Sequence, residues 1–332
     1  MKRYWIPLLC AASLAANASA QKPAGTAETH VVAAKAAAGQ DYSGVINLCN
    51  EPQAPTGQRA APAGQQANTP ATRTAPPASQ WYAEPAKVFD NLYFVGSKDV
   101  SAWAVTTSDG IVLIDSLYEY SVEEEIANGL KKLGLDPSKI KYVIVTHGHS
   151  DHYLGSKFLQ DHYGAHIILS EADWNLMATD RIPAALKPKK DMVATDGQKV
   201  TLGDATITLY VTPGHTPGTV SLLIPVQDGN QRHLAGMWGG VGFNFQRTPE
   251  AFQTYAASTR RFQEIVGKAG VDVLLTNHPN QDKTLDKIAT LKSRKPGGPH
   301  PFVVGKDGIK RFLTVVSECA DAQAIWMTSS GK

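Results

Sequence analysis

The chain has 332 residues, with 32 Lys and Arg against 30 Asp and Glu and a formal net charge of +2. Lys2 and Arg3 are the only charges among the first twenty residues, so the remainder balances at 30 basic and 30 acidic groups. That balance leaves no electrostatic footprint for nucleic acid, and no apolar stretch beyond the first twenty residues reaches the roughly 20 needed to span a bilayer.

Residues 1–20 carry Lys2 and Arg3, an apolar core over 5–12 and a small-x-small end at Ala18-Ser19-Ala20. This is the pattern of a secretory signal peptide, with cleavage expected before Gln21 and a periplasmic or secreted mature chain. Cys10, preceded by Pro7-Leu8-Leu9, lacks the small residue that a lipoprotein box places before its cysteine. Residues 21–79 are rich in Ala, Pro, Gln, Gly and Thr, and read as a disordered tail interrupted by one short island at 42–49. Signal cleavage leaves two cysteines, Cys49 in that island and Cys319 near the end. An oxidising compartment favours a disulfide between them, tying the island to the last helix; two free thiols are the alternative.

A catalytic unit is expected over 80–325. Strands are predicted at 88–89, 92–95, 101–107 and 111–115, with turns at Asp90-Asn91 and Asp109-Gly110. A helix should open on a capping box of Ser121 and Glu124 and end near Gly134. A buried strand over 142–145 is followed by a helix over 154–163. The segment 174–192 reads as long, irregular and partly apolar: either a flap over a site or a surface connection that packs down. Further strands are expected at 199–202, 205–211, 219–225 and 233–237. Thr248-Pro249-Glu250 then starts a helix whose Phe252, Tyr255, Ala256, Thr259, Phe262 and Val266 share one face. Two β-rich halves, each with helices, make an α+β fold of four layers, an αββα sandwich.

The chemistry concentrates at Thr146-His147-Gly148-His149-Ser150-Asp151-His152, three imidazoles and a carboxylate directly after a buried strand. These are nitrogen and oxygen ligands suited to Zn²⁺. Residues i and i+2 of an extended segment project together, and the Asp-His pair falls where the chain turns into a helix, so this stretch can serve two adjacent metals. His215, in Thr212-Pro213-Gly214-His215-Thr216-Pro217-Gly218, and His278, after the apolar run 271–277, also stand just past strand ends. His30, His162, His166, His233 and His300 lie in other contexts and are read as non-ligands.

The pattern His-x-His-x-Asp-His, then Gly-His-Thr-Pro-Gly, then a late histidine resembles the metallo-β-lactamase superfamily. The flanks at 149–155, 213–219 and 272–279 look most like the third subclass of class B β-lactamases, and the resemblance covers about 81–321. It implies two Zn²⁺ ions, one held by His147, His149 and His215 and the other by Asp151, His152 and His278. It also implies a metal-bound hydroxide that attacks the amide of a β-lactam, with Asp151 orienting it and passing the proton to nitrogen. Asp115, which ends a strand, resembles the carboxylate this superfamily places beneath its ligands; a turn cap is the competing reading.

In many lactonases, thioester hydrolases and nucleases of the superfamily an aspartate bridges the metals from the strand after the Gly-His-Thr-Pro-Gly loop. Here that strand, 233–240, has neither carboxylate nor cysteine, as in the third lactamase subclass. The stretch Met237-Trp238-Gly239-Gly240 departs from that subclass, however, and Trp238 and Asn244 are expected at the substrate rim. The expectation is therefore an exported di-zinc hydrolase of β-lactams acting on a small-molecule substrate. The alternatives are a di-metal hydrolase of another cyclic or ester-like substrate such as a lactone, or a weakly catalytic metal-binding envelope protein. No heptad seam marks an oligomer, so a monomer is expected.

Overall fold

The computed structural model describes residues 24–52 and 75–329. The expected signal peptide and positions 53–74 lie outside the described residues.

The chain enters as helix α1 (Ala27–Ala38), closed at its start by a reciprocal capping box between Thr26 and Thr29. A single 3₁₀ turn (Ile46–Cys49) and a one-turn helix α2 (Ala78–Trp81) follow. The first sheet takes β1 (Ala86–Phe89), β2 (Leu92–Phe94), β3 (Trp103–Thr107) and β4 (Gly110–Ile114) as an antiparallel meander. After a helical stretch (Glu123–Asn128) of the wide π repeat that runs into α3 (Gly129–Lys132) come β5 (Ile140–Ile144), α4 (Ser150–Tyr153), α5 (Ser156–Tyr163), β6 (His166–Ser170), α6 (Glu171–Thr179) and β7 (Met192–Ala194). Strands β4 to β7 pair in parallel.

The second sheet is built from β8 (Lys199–Leu202), β9 (Ala205–Val211), β10 (Val220–Asp228) and β11 (Gln231–Met237). Helix α7 (Pro249–Ala269) precedes β12 (Val273–Leu275), which joins β11 in parallel, and α8 (Thr284–Lys292) and α9 (Gly305–Ser329) complete the described chain. Among the described residues the sheets therefore hold seven and five strands, in the orders β1 to β7 and β12-β11-β10-β9-β8.

The four layers follow from the period of two along the strands. In β4, Val112 and Ile114 face the cluster between the sheets with Leu209, Leu222 and Met237, whereas Ile111 and Leu113 face the helices with Ile126, Leu130 and Leu159. The outer face of the second sheet is covered by α7 and α9, through Leu223 and Leu274 against Phe252, Phe262 and Phe312. The apolar face expected on α7 is buried at all six named positions, and Thr248 caps the helix by accepting from the Ala251 amide at 3.2 Å.

Three expectations need correction. Residues 27–38 are helical, not a disordered tail: Ala27, Ala34 and Ala38 are buried, and the small faces of α1 and the 3₁₀ turn pack on α9. An alanine-rich segment lacks bulky apolar groups but has the highest helix propensity, and large α9 side chains supply the contact area. The hydroxyl of Tyr42 donates to the Gly308 carbonyl at 2.9 Å and Gln323 donates to the carbonyls of Leu48 and Asn50. His30 contacts Glu318 at 2.6 Å, Arg260 pairs with Asp321, and Cys49 is bonded to Cys319.

Ser121 does not cap the following helix; its hydroxyl donates to the Tyr118 carbonyl, one turn back. Nor is 174–192 irregular throughout. Trp174 and Met177 are buried on α6, the Trp174 indole donates to the Met192 carbonyl at 2.9 Å, and Asp180 accepts from Tyr153 and pairs with Lys187. The two ends of this segment pack down, whereas its middle, from Pro183 to Leu186, is exposed.

Candidate metal centre

Every expected ligand sits where a strand ends. His147 and His149 follow β5, Asp151 and His152 lie in the first turn of α4, His215 sits in the loop between β9 and β10, and His278 follows β12. β5 belongs to the first sheet and β9, β10 and β12 to the second, and their ends bring these loops together at one edge of the sandwich. Two groups form there, His147, His149 and His215 in one and Asp151, His152 and His278 in the other, with ligand atoms in each lying within 4.8 Å of one another. The rings of His147 and His152 approach to 4.1 Å between centroids, so the groups are neighbours.

Four imidazoles are held by their Nδ1 side. His147 donates to the Gly239 carbonyl at 2.8 Å, His215 to the Gly242 carbonyl at 2.5 Å, His278 to the Asp99 carbonyl at 2.6 Å and His152 to Asp115 Oδ2 at 2.8 Å. A carbonyl can only accept, so in His147, His215 and His278 Nδ1 carries the proton and Nε2 is left as the lone-pair donor. The Nε2 atoms of His147 and His215 face each other at 3.0 Å.

The site's electrostatics suit a cation. Burial, reinforced by neighbouring imidazoles, holds His147 and His215 well below the usual histidine range. Burial likewise brings His149 down to about 4 against the opposing pull of Asp151, and lowers His278. Burial acts downward on His152 too, but the carboxylates of Asp151 and Asp115 outweigh it and push this imidazole up to about 10. For Asp151 burial acts upward and is overcome by His152 and His278, which hold the carboxyl well below its usual range. Most of the imidazoles are thus neutral and the carboxylate charged, the states in which they ligate.

Among the candidate ligands two buried atoms lack any hydrogen-bond partner, Oδ1 of Asp151 and Nε2 of His152; Nε2 stands 3.3 Å from Asp151 Oδ2 without hydrogen-bond geometry. Orphaned buried donors and acceptors are costly, and a divalent cation between them would satisfy both. The donor set of five imidazoles and one carboxylate fits zinc.

Asp115 is buried at a left-handed φ of 59° and accepts from the Thr146 amide at 2.7 Å and its hydroxyl at 2.9 Å besides His152. It therefore supports the ligands from beneath and is no turn cap. Trp238 is not at a rim: it is 1% exposed, and its indole donates to the Tyr255 hydroxyl at 3.0 Å. Just past the end of β11 its ring turns into the helix-covered core, where an aromatic side chain gains most from burial. Asn244 is exposed, two residues beyond the carbonyl that holds His215.

Supporting residues without a motif were missed. Asn277 donates to the Gly239 carbonyl at 2.7 Å. Tyr255 donates to the carbonyls of Gly240 and Val241 at 2.8 and 2.9 Å. Asp173 accepts from the amides of Gly148 and Gly218 and from the Thr216 hydroxyl. The pattern Ser170-x-x-Asp173 at a helix start was a legible signal for the last, though only as a cap.

Residues 95–228 match the family model described as Metallo-beta-lactamase superfamily. The chain is 28% identical to the hydroxyacylglutathione hydrolase of Acidiphilium cryptum over 157 residues, 46% of this chain and 56% of that protein. It is 33% identical to that of Brucella anthropi over 86 residues, 26% of this chain and 29% of that protein. The chain thus spans less than two thirds of these curated relatives. Among solved structures, BJP-1, a subclass B3 metallo-β-lactamase of Bradyrhizobium japonicum, superposes with a TM-score of 0.63 at 28% identity, covering 75% of this chain and 97% of that one. The native FEZ-1 metallo-β-lactamase of Legionella gormanii gives 0.58 at 25% identity, covering 70% and 91%. With the fold, the two ligand groups and the matched region in agreement, residues 95–228 carry a domain of the metallo-β-lactamase superfamily, and subclass B3 enzymes are among the structural neighbours of the chain.

Proposed function

We propose that this protein is an exported hydrolase that holds two zinc ions and opens the amide bond of β-lactam antibiotics. The observation that carries the reading is the loop after β11. A Cβ on Gly239 would collide with the Val220 carbonyl, and one on Gly240 would collide with the His215 ring. Neither position accommodates a carboxylate, so none bridges the two ligand groups from this strand. Bare backbone instead supplies the carbonyls that aim His147 and His215.

When bound, two zinc ions supply a water acidic enough to act as nucleophile near neutral pH, and an electrophile for the substrate carbonyl. The protein's own part is orientation and proton handling. The Nδ1 contacts fix four imidazoles before substrate arrives, which spares reorganisation during the reaction. Asp151 directs Oδ2 toward His152 and His278, at 3.3 and 3.8 Å, and its carboxylate is assigned to take a proton and release it to the leaving nitrogen. Asn244 at the exposed end of the loop is assigned to the substrate rim. Export rests on the charge and apolar pattern of residues 1–20, and a monomer on the lack of any oligomer cue in the sequence. Among the described residues, no helix is long and apolar enough to cross a membrane.

The test is hydrolysis of a chromogenic cephalosporin and a carbapenem by the zinc-loaded mature chain, with and without a chelator. Chelator-sensitive turnover supports the reading. Both metals bound without turnover of either lactam overturns it in favour of an ester-like substrate. That second reading has its own support in curated relatives named hydroxyacylglutathione hydrolases, so a lactone and a glutathione thioester belong in the same assay.

A further inference from the structure

We propose that Asp173 is a positioning residue that locks together the two loops carrying His147, His149 and His215, and thereby sets the affinity and geometry of the three-histidine site. The inference rests on the reading of that group as a metal site. Asp173 occupies the first turn of α6, whose cap Ser170 accepts from the Asp173 amide at 3.3 Å, and is fully buried. Its carboxylate makes no ion pair. Oδ2 accepts from the Gly148 amide at 2.8 Å, between His147 and His149, and from the Thr216 hydroxyl at 2.6 Å, directly after His215. Oδ1 accepts from the Gly218 amide at 2.8 Å, in the same loop as His215.

One carboxylate group thus receives three donors from two loops separated by some 70 positions in sequence. Both glycines lie against the start of α6. A Cβ on Gly148 would stand 3.1 Å from the Asp173 carbonyl, and one on Gly218 would collide with the Ser170 hydroxyl. The loop is also ordered beyond the carboxylate. Because Thr216 gives its only hydroxyl proton to Asp173, Thr219 donates back across the 2.7 Å contact between the two hydroxyls, while its oxygen accepts from the Thr216 amide at 2.9 Å. Loss of the acceptor at Asp173 would free every donor in this chain and let His215 move relative to His147. A carboxylate at this point also suits the positive end of α6.

The experiment compares wild type with Asp173→Asn, Thr216→Val and Thr216→Ser. Zn²⁺ affinity is measured at each of the two sites by competition with a chelating dye, and visible spectra are recorded after loading with Co²⁺. Asn keeps the size but offers an N–H where an acceptor is needed. The expected result is a roughly 10–100-fold loss of affinity at the three-histidine site in Asp173→Asn, the range seen when partners of metal ligands are removed. A smaller loss is expected in Thr216→Val, with recovery in Thr216→Ser. The Co²⁺ bands of the three-histidine site should shift and those of the other site stay, a selectivity that general destabilisation would not give. Unchanged affinity in Asp173→Asn, or equal loss at both sites, overturns the proposal. Should Asp173→Asn fail to fold, the Thr216 pair decides on the same criterion. Wild type that binds no metal would sink the metal-site reading itself, whereas wild type with two zincs and an indifferent Asp173→Asn would sink only this proposal.

Discussion

The Asp115 carboxylate stands 2.8 Å from Nδ1 of His152 and 2.7 Å from the Thr146 amide, so one side chain orients a ligand of one group and fixes the residue just before the other. Asp115→Asn is the informative change, because Asn tolerates the left-handed backbone found there while replacing an acceptor oxygen with an N–H donor. Metal affinity at the site of Asp151, His152 and His278 should fall roughly 10–100-fold. Titration against a competing chelator measures it, and an unaltered affinity would show that Asp115 serves the fold alone.

His278 and His215 belong to different groups. His278→Ala should therefore lower occupancy of the site it shares with Asp151 and His152, and His215→Ala that of the three-histidine site. Elemental analysis after dialysis reads both. Equal metal content in the two variants and wild type would sink the ligand assignment.

Tyr255 is fully buried, and its hydroxyl ties the Gly240 and Val241 carbonyls to α7 between the two carbonyls that aim His147 and His215. In Tyr255→Phe those carbonyls and the Trp238 indole lose their partner, at a cost of about 1–3 kcal/mol. Urea unfolding gives the stability change, and metal binding should weaken most at the three-histidine site. A variant as stable as wild type would mean that water replaces the hydroxyl.

Glu125 is fully buried; Oε1 accepts from the Ala83 amide at 2.9 Å and Oε2 has no partner. Burial pushes its carboxyl up from 4.5 to about 8. Between these values the native protein holds a proton that the unfolded chain has released, so stability falls as pH rises through the window, by at most roughly 1.4 kcal/mol per pH unit. Glu125→Gln removes this dependence. Relative to wild type it should gain stability steadily from pH 5 to pH 8 and no further above that. Urea midpoints of the two proteins that stay parallel across the range would refute the assignment.

What could be read from the sequence was the part fixed by side-chain chemistry and periodicity. Four of the six candidate ligands stood out because imidazoles seldom cluster after a buried strand, His215 and His278 by their places just past strand ends, and α7 announced itself through its cap and its apolar face. The supports of those ligands were far less legible. His147, His215 and His278 are aimed by the backbone carbonyls of Gly239, Gly242 and Asp99, and a carbonyl belongs to every residue type. Trp238 was expected at the rim because the resemblance assigns the stretch after β11 to it; which way its ring turns depends on the helix packed outside β11, a contact between distant parts of the chain. Helix α1 was hidden for a related reason, since its alanines gain burial only against α9.

The bond between Cys49 and Cys319 gives the molecule a covalent topology that its sequence order conceals. The polypeptide from one cysteine to the other forms a closed ring, and positions 53–74 belong to that ring. A single proteolytic cut there would not release the N-terminal piece; it would yield two chains that travel as one particle. Such nicked protein would run as one species on a non-reducing gel and as two after reduction. Damage at that point would thus leave α1 seated on α9 and the ligand-bearing loops in place.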